Sequence, residues 1–267
     1  FGRGITKIDE DGLVEFQTAY ICDPELIPKT TKEIVNKLKE SYPNSKANPV
    51  PIMPNVVLTS MFKDETPTLT KVPLGIRKAT LGPCLYNFEK PIITPIIANS
   101  MEESFGFVRG LMEILSKTAD VNKYIIDFAK TLEPYKYDMN YYNPNYKDAL
   151  QIMQTNINNE GPTKSLYIIN GIGTYKVKLG PDDRKILEDN LAAIVSSKNN
   201  YVIFIEEYNA YKSIEMEPWY RNTIDKLNGI WLGDGIGNQL SIKVNMGLEE
   251  KKLMFPYIAY AFTKGKH

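Results

Sequence analysis

The residues best placed to do chemistry lie between Pro91 and Ser116, and their types are wrong for the chemistry expected there. Ile92, Ile93, Ile96 and Ile97 predict a buried strand, Asn99 to Ser104 a short polar loop, and Phe105, Val108, Leu111, Met112 and Leu115 the apolar face of a helix. A strand, a loop and a helix in that order is where an α/β domain builds a phosphate cradle. Such a cradle needs glycines, so that backbone N–H groups can close on the phosphates. It also needs a lysine to neutralise charge and a hydroxyl to hold Mg²⁺. The window Ala98-Asn99-Ser100-Met101-Glu102-Glu103-Ser104-Phe105 has no glycine, no lysine and two acids. Acids there favour the helix dipole by about 0.3–1 kcal/mol but repel phosphate.

A second constellation is the pair Glu206 and Glu207, which closes the apolar run Tyr201 to Ile205. Acids at that edge of an α/β sheet can activate water or hold a cation, or simply cap the next turn. Gly233 to Gly237 has the spacing of a dinucleotide fingerprint, but no helical pattern follows, so a turn is expected. Gly171 and Gly173 read as a strand exit. Tyr135, Tyr137, Tyr141, Tyr142 and Tyr146 crowd one loop-like stretch, which serves either partner recognition or local packing. Arg109 and Arg221 are arginine-finger candidates, with a surface ion pair as the plainer role.

Composition narrows the classes. With 32 basic and 32 acidic residues the formal net charge is zero, so no global field draws the chain to nucleic acid or to an anionic membrane. One histidine, His267, leaves no basis for a histidine triad or zinc site, and no metal site is expected. Cys22 and Cys84 form no metal or redox spacing and fit a reducing compartment. No run approaches the ~18 apolar residues that span a bilayer. A chain starting Phe1-Gly2 reads as a fragment of a longer protein.

The elements that must position these residues follow from periodicity. Ile5 to Ile8 and Leu13 to Phe16 alternate around the turn signal Asp11-Gly12. Lys32 to Tyr42 predicts a helix, Pro43 to Pro54 a linker, and Val56 to Phe62 and the segment at Pro73 to Gly75 short extended pieces. Strand runs Ile92–Ala98, Tyr124–Phe128, Leu166–Ile169 and Tyr201–Ile205 then alternate with helices over 104–117, 146–158 and 183–197. Unbroken apolar runs predict a mainly parallel sheet covered by helices on both faces. Gly229–Leu232, Leu240–Val244 and Ile258–Phe262 predict further strands, antiparallel at one edge.

Gly2-Arg3-Gly4 and the hairpin ending Val14 to Ala19 resemble the closing segment of an FtsK/SpoIIIE-type ATPase module, as strung in tandem in the EssC/EccC coupling ATPases of type VII secretion. Val72 to Gly75 resembles the entry to a next module, and Gly229 to Gln239 the late glycine-rich segment of the C-terminal module. Thr263 to Lys266 echoes Gly2 to Gly4. The resemblance implies a RecA-like P-loop NTPase fold with an N-terminal hairpin–helix appendage. Residues 1–22 would close a preceding module, 23–70 connect, and 71–267 form the last module.

On that alignment the first nucleotide motif falls on Ala98, Asn99, Ser100, Ser104 and Phe105. Ser104 stands near the lysine position and Phe105 near the Mg²⁺-binding Ser/Thr. The second motif ends on Asn170 in place of an acid. Both are degraded, so no catalytic residue is intact and no cofactor is expected, ATP with Mg²⁺ being the alternative. The resemblance implies the cytoplasmic part of an integral protein of the bacterial cell membrane, touching the membrane only through its parent. Its partners would be helical WXG-type secreted proteins and neighbouring ATPase modules, with a hexamer as the family's ring. Expected function is recognition or regulation with little or no hydrolysis. The alternative is a working ATPase with unconventional ligands, Glu206 or Glu207 among them.

Overall fold

The computed structural model describes residues 3–7, 13–17, 23–43, 52–62, 66–78, 80–247 and 258–266. The turn at Asp11-Gly12, Cys22, most of the Pro43–Pro54 linker and His267 lie outside the described residues. The chain divides into two units, Phe1–Ile52 and Met53–His267.

In the first unit β1 (Arg3–Lys7) and β2 (Leu13–Gln17) pair antiparallel, Lys7 against Leu13, as a two-stranded sheet of their own. Helix α1 (Ile27–Ser41) begins five residues before the expected Lys32, counting from Ile27. Pro28 sits in its first turn, where a fixed φ favours helix and no N–H is missed.

The second unit opens with a 3-10 turn at Thr59–Phe62, where an extended segment was expected. Thr59 Oγ1 donates to Glu113 Oε2 at 2.9 Å, which ties the turn to the rest of the unit. A small hairpin follows, β3 (Val72–Ile76) with β4 (Pro83–Tyr86). The chain then builds β5 (Ile93–Ala98), α2 (Met101–Ser116), β6 (Val121–Asp127), β7 (Asn140–Tyr142), α3 (Tyr146–Asn158) and β8 (Lys164–Asn170). It continues through α4 (Tyr175–Lys178), α5 (Pro181–Ile194), β9 (Asn200–Glu207), α6 (Tyr208–Tyr211), α7 (Pro218–Thr223), β10 (Gly229–Leu232) and β11 (Ala259–Phe262).

Seven of these strands form one sheet in the order β11-β10-β5-β9-β8-β6-β7. All neighbours are parallel except β10 and β11, so the antiparallel pair sits at one edge as expected. Successive side chains of a strand face opposite ways, and here that parity sorts the core. Ile97, Ile126, Ile169, Phe204 and Trp231 join α3, α5 and α7 on one face, whereas Ile96, Ile125, Ile168, Ile203 and Ile230 join α2 and the β3–β4 hairpin on the other. Burial on both faces explains why the strand runs carry no polar alternation.

Two expectations fail within the sheet. Leu240–Val244 is not a strand: Gln239 donates from Nε2 to the Ile242 carbonyl, and its Oε1 accepts from Ile242 N, both at 2.8 Å. That double bond consumes the backbone groups a ladder would need. Conversely, β7 arises inside the tyrosine-rich stretch, in register with β6 from Tyr124–Asn140 to Ile126–Tyr142.

Candidate functional site

The chain leaves β5 toward β6 on one side and leaves β9 toward β10 on the other. That makes the carboxyl ends of adjacent β5 and β9 the switch point of the sheet, the crevice where open α/β sheets bind ligands. Asn99, Ser100, Glu206 and Glu207 all stand there, with Asn170 at the end of the neighbouring β8 and Asp234 just beyond β10.

The first motif is shorter than a cradle. Strand β5 ends at Ala98 and α2 starts at Met101, so only Asn99 and Ser100 lie between, and most of the expected loop is the first turn of the helix. Ser100 is the N-cap, its Oγ accepting from Glu103 N at 3.4 Å. Asn99 N donates to the Leu232 carbonyl at 3.1 Å, and Asn99 Nδ2 to Asp234 Oδ1 at 2.5 Å. Gly235 takes φ +75° beside that amide, where a Cβ would stand 3.4 Å from Asn99 Oδ1. The N-terminus of α2 is already occupied: Met101 N donates to Glu207 Oε2 at 3.3 Å. A carboxylate of the chain therefore takes the place an anionic ligand would seek. Ser104 is buried with its Oγ lacking a hydrogen-bond partner, and Phe105 is half-buried.

Glu206 is buried, and burial pushes its carboxyl above the ordinary glutamate range. Two backbone donors partly offset this, Gly173 N to Oε2 at 2.7 Å and Glu207 N to Oε1 at 2.8 Å, while the charge of Glu207 adds to it. Gly173 has no room for a side chain, since a Cβ would meet the Ala210 carbonyl oxygen at 2.5 Å. Gly171 adopts φ +79° with a Cβ position 2.9 Å from Ala129 N. Both glycines serve the close exit from β8.

The side-chain amide N–H groups of Asn170 are committed. Its Nδ2 donates to Asp127 Oδ1 at 2.7 Å and to Thr131 Oγ1 at 2.8 Å. Asp127, itself buried, also accepts from Leu132 N at 2.8 Å and from the Tyr141 hydroxyl at 3.0 Å on Oδ2. Sequence reasoning missed Asp127; its place at the end of an apolar run, like Glu206 and Glu207, was the available signal. An aspartate at 170 would face Asp127 across that bond.

The tyrosines are dispersed rather than pooled. Tyr146 is buried and packs on Phe128 at 4.8 Å between ring centroids. Tyr141 is held by Asp127, and burial with that charge raises its pKa. Tyr142 is half-buried, and Tyr135 donates to the Arg109 carbonyl at 3.1 Å. Tyr137 alone of the five is open, 87% exposed, with Lys136 Nζ 5.3 Å above its ring. The Arg109 side chain lies on an exposed position of α2, and Arg221 Nη2 donates to Met216 Sδ at 3.4 Å. Among the described residues no group of three or more metal-ligating side chains occurs, and no helix is long and apolar enough to cross a membrane.

A mostly parallel sheet with a switch-point crevice, flanked by helices on both faces, is a doubly wound α/β architecture. No family model and no curated protein matches the sequence, but solved structures do. The cytoplasmic domain of EssC superposes with TM-score 0.63 and 14% identity, over 98% of this chain and 56% of that one. EssC (ATPases 2 and 3) from Geobacillus thermodenitrificans gives TM-score 0.64 and 16% identity, over 99% of this chain and 54% of that one. Thermomonospora curvata EccC (ATPases 2 and 3), solved with a signal sequence peptide, gives 0.54 and 15%, over 96% and 50%. The chain spans about half the length of these structures, and at such identity the likeness is one of fold. That fold is the one expected from the resemblance.

Proposed function

We propose that the chain is an ATPase-like module of a type VII secretion machine, serving recognition or regulation of secreted proteins with little or no ATP hydrolysis of its own. The observation that carries this is the two-residue connection from β5 to α2, whose helix N-terminus is taken by Glu207. Too few backbone N–H groups remain to wrap a triphosphate, and no lysine is near in sequence to neutralise it. Asn170, spent on Asp127 and Thr131, brings no charge to Mg²⁺. The shared fold with EssC and EccC domains, one of them solved with a signal sequence peptide, supports the secretion context. On this reading the module lies on the cytoplasmic side of a bacterial membrane within a longer anchored chain. It contacts helical WXG-type cargo and neighbouring modules, the latter within a hexameric ring.

Calorimetric titration with Mg-ATP into the millimolar range tests it. No heat and no thermal shift are expected; saturable binding with multi-turnover hydrolysis would sink the proposal. One observation favours the alternative of a working ATPase: Glu206 is a buried acid with a raised pKa at the catalytic edge. Both its oxygens are nevertheless engaged by backbone donors. Hydrolysis by a longer multi-module protein that disappears in Glu206→Gln would restore that alternative.

A further inference from the structure

The sequence contains two Asn-Gly dipeptides, Asn170-Gly171 at the exit of β8 and Asn228-Gly229 at the start of β10. Such a dipeptide is chemically labile, because a glycine with no Cβ leaves its backbone nitrogen free to approach the preceding side chain. At the exit of β8 the fold demands both members. Residue 171 takes φ +79°, and a Cβ there would stand 2.9 Å from Ala129 N, so only glycine is accommodated. Residue 170 donates toward Asp127, which an ionised acid in its place could not do. A reactive dipeptide thus stands where packing leaves no alternative.

The folded chain keeps the two reacting groups occupied. Asn170 is 2% exposed, and its Nδ2 is spent on Asp127 Oδ1 and Thr131 Oγ1. The nucleophile of any attack on this amide is Gly171 N, which donates to the Ile205 carbonyl at 2.9 Å. With its hydrogen directed at that carbonyl, the nitrogen cannot turn toward Asn170 Cγ. The second dipeptide is closed by other partners: Asn228 Nδ2 donates to Asp225 Oδ2 at 2.5 Å, and Asn228 Oδ1 accepts from Lys264 N at 3.0 Å. It is an internal reference for the first.

We infer that Asn170-Gly171 is a latent deamidation site, latched in the fold by Asp127, Thr131 and Ile205, whose conversion in an opened chain bars return to the native crevice. On opening, Gly171 N attacks Asn170 Cγ. The N–Cγ bond forms, the Cγ–Nδ2 bond breaks, and ammonia leaves with the proton given up by Gly171 N. Water then opens the cyclic imide. Cleavage at Cγ leaves aspartate at 170, and cleavage at the main-chain carbonyl carbon leaves an isoaspartyl link. One water is consumed, one ammonia is released, and nothing is oxidised or reduced. Aspartate sets a second carboxylate against buried Asp127, and the isoaspartyl link inserts a methylene into the main chain where β8 ends. Opening is then made irreversible by chemistry.

The test incubates the whole chain at alkaline pH, with and without unfolding urea, and follows tryptic peptides 165–176 and 227–243 by mass spectrometry. Conversion at 170 should be about a hundredfold slower in the folded chain, since attack must await local opening. Thr131→Val removes one acceptor and should speed conversion at 170 about fivefold in the folded chain, leaving 228 and the rates in urea unchanged. Thr131→Ser keeps a hydroxyl and should behave as wild type, which separates the latch from a general loosening. After dilution from urea, the mark at 170 should be enriched in the fraction that fails to regain a protease-resistant fold. Equal rates at 170 in folded and unfolded protein would overturn the latch, as would a Thr131→Val effect felt equally at 170 and 228. Equal marking of the refolded and non-refolded fractions would overturn the bar to return.

Discussion

The crevice at the carboxyl edge and the tyrosine-rich stretch differ in how their polar groups are spent. In the crevice Asn99, Asn170, Glu206 and Glu207 all bond to other parts of the same chain. In the tyrosine-rich stretch Tyr135 and Tyr141 are also held, whereas Tyr137 stays open. A fold can therefore keep the shape of a ligand crevice while its hydrogen-bonding capacity turns inward. Groups left unspent elsewhere are where new recognition can arise.

Three substitutions would break or sharpen that contrast. The largest effect belongs to Asn170→Asp, which places an acid at the end of β8 and sets it against buried Asp127. Replacing the Asn170 donor by a second buried carboxylate facing Asp127 should cost about 3–5 kcal/mol in urea unfolding. A variant as stable as wild type that gained Mg-ATP binding would mean the crevice is dormant rather than converted.

Next is Glu206→Gln. Because burial raises this carboxyl, the folded chain binds the proton more tightly than the unfolded one. Its stabilising contribution is thus complete below the ordinary glutamate value of 4.5 and is lost as pH rises through the raised value. The substitution should flatten that part of the stability–pH curve and cost about 1–3 kcal/mol through one mismatched backbone donor. Parallel curves for the two proteins would show that the acid titrates normally. The smallest effect is expected for Glu207→Gln. Losing a charge at the α2 N-terminus should cost about 0.3–1 kcal/mol, and salt should reduce the difference. No change in either would make the Met101 contact incidental.

Much of the sheet was legible because strands buried on both faces leave long apolar runs, as at Ile92–Ala98 and Tyr201–Ile205. The bounds of α3 fall where the periodicity put them, at 146 and 158. Leu240–Val244 misled because its alternation is apolar while a side-chain amide, not a neighbouring strand, satisfies the backbone. Strand β7 was hidden because three residues give too short a pattern amid tyrosines. At the crevice, the missing glycines and lysine could be read directly. The partners of Glu207 and Asn170 could not, since they come from residues 106 and 43 positions away in the chain.

The parity of the strands has one more consequence. Ile96 and Ile97 are adjacent in sequence yet belong to different clusters, so the sheet acts as a partition between two compartments. Changes on the α2 side and on the α5 side share no packing partners and should combine additively. One compartment is then free to drift through many sequences while the other keeps the scaffold intact.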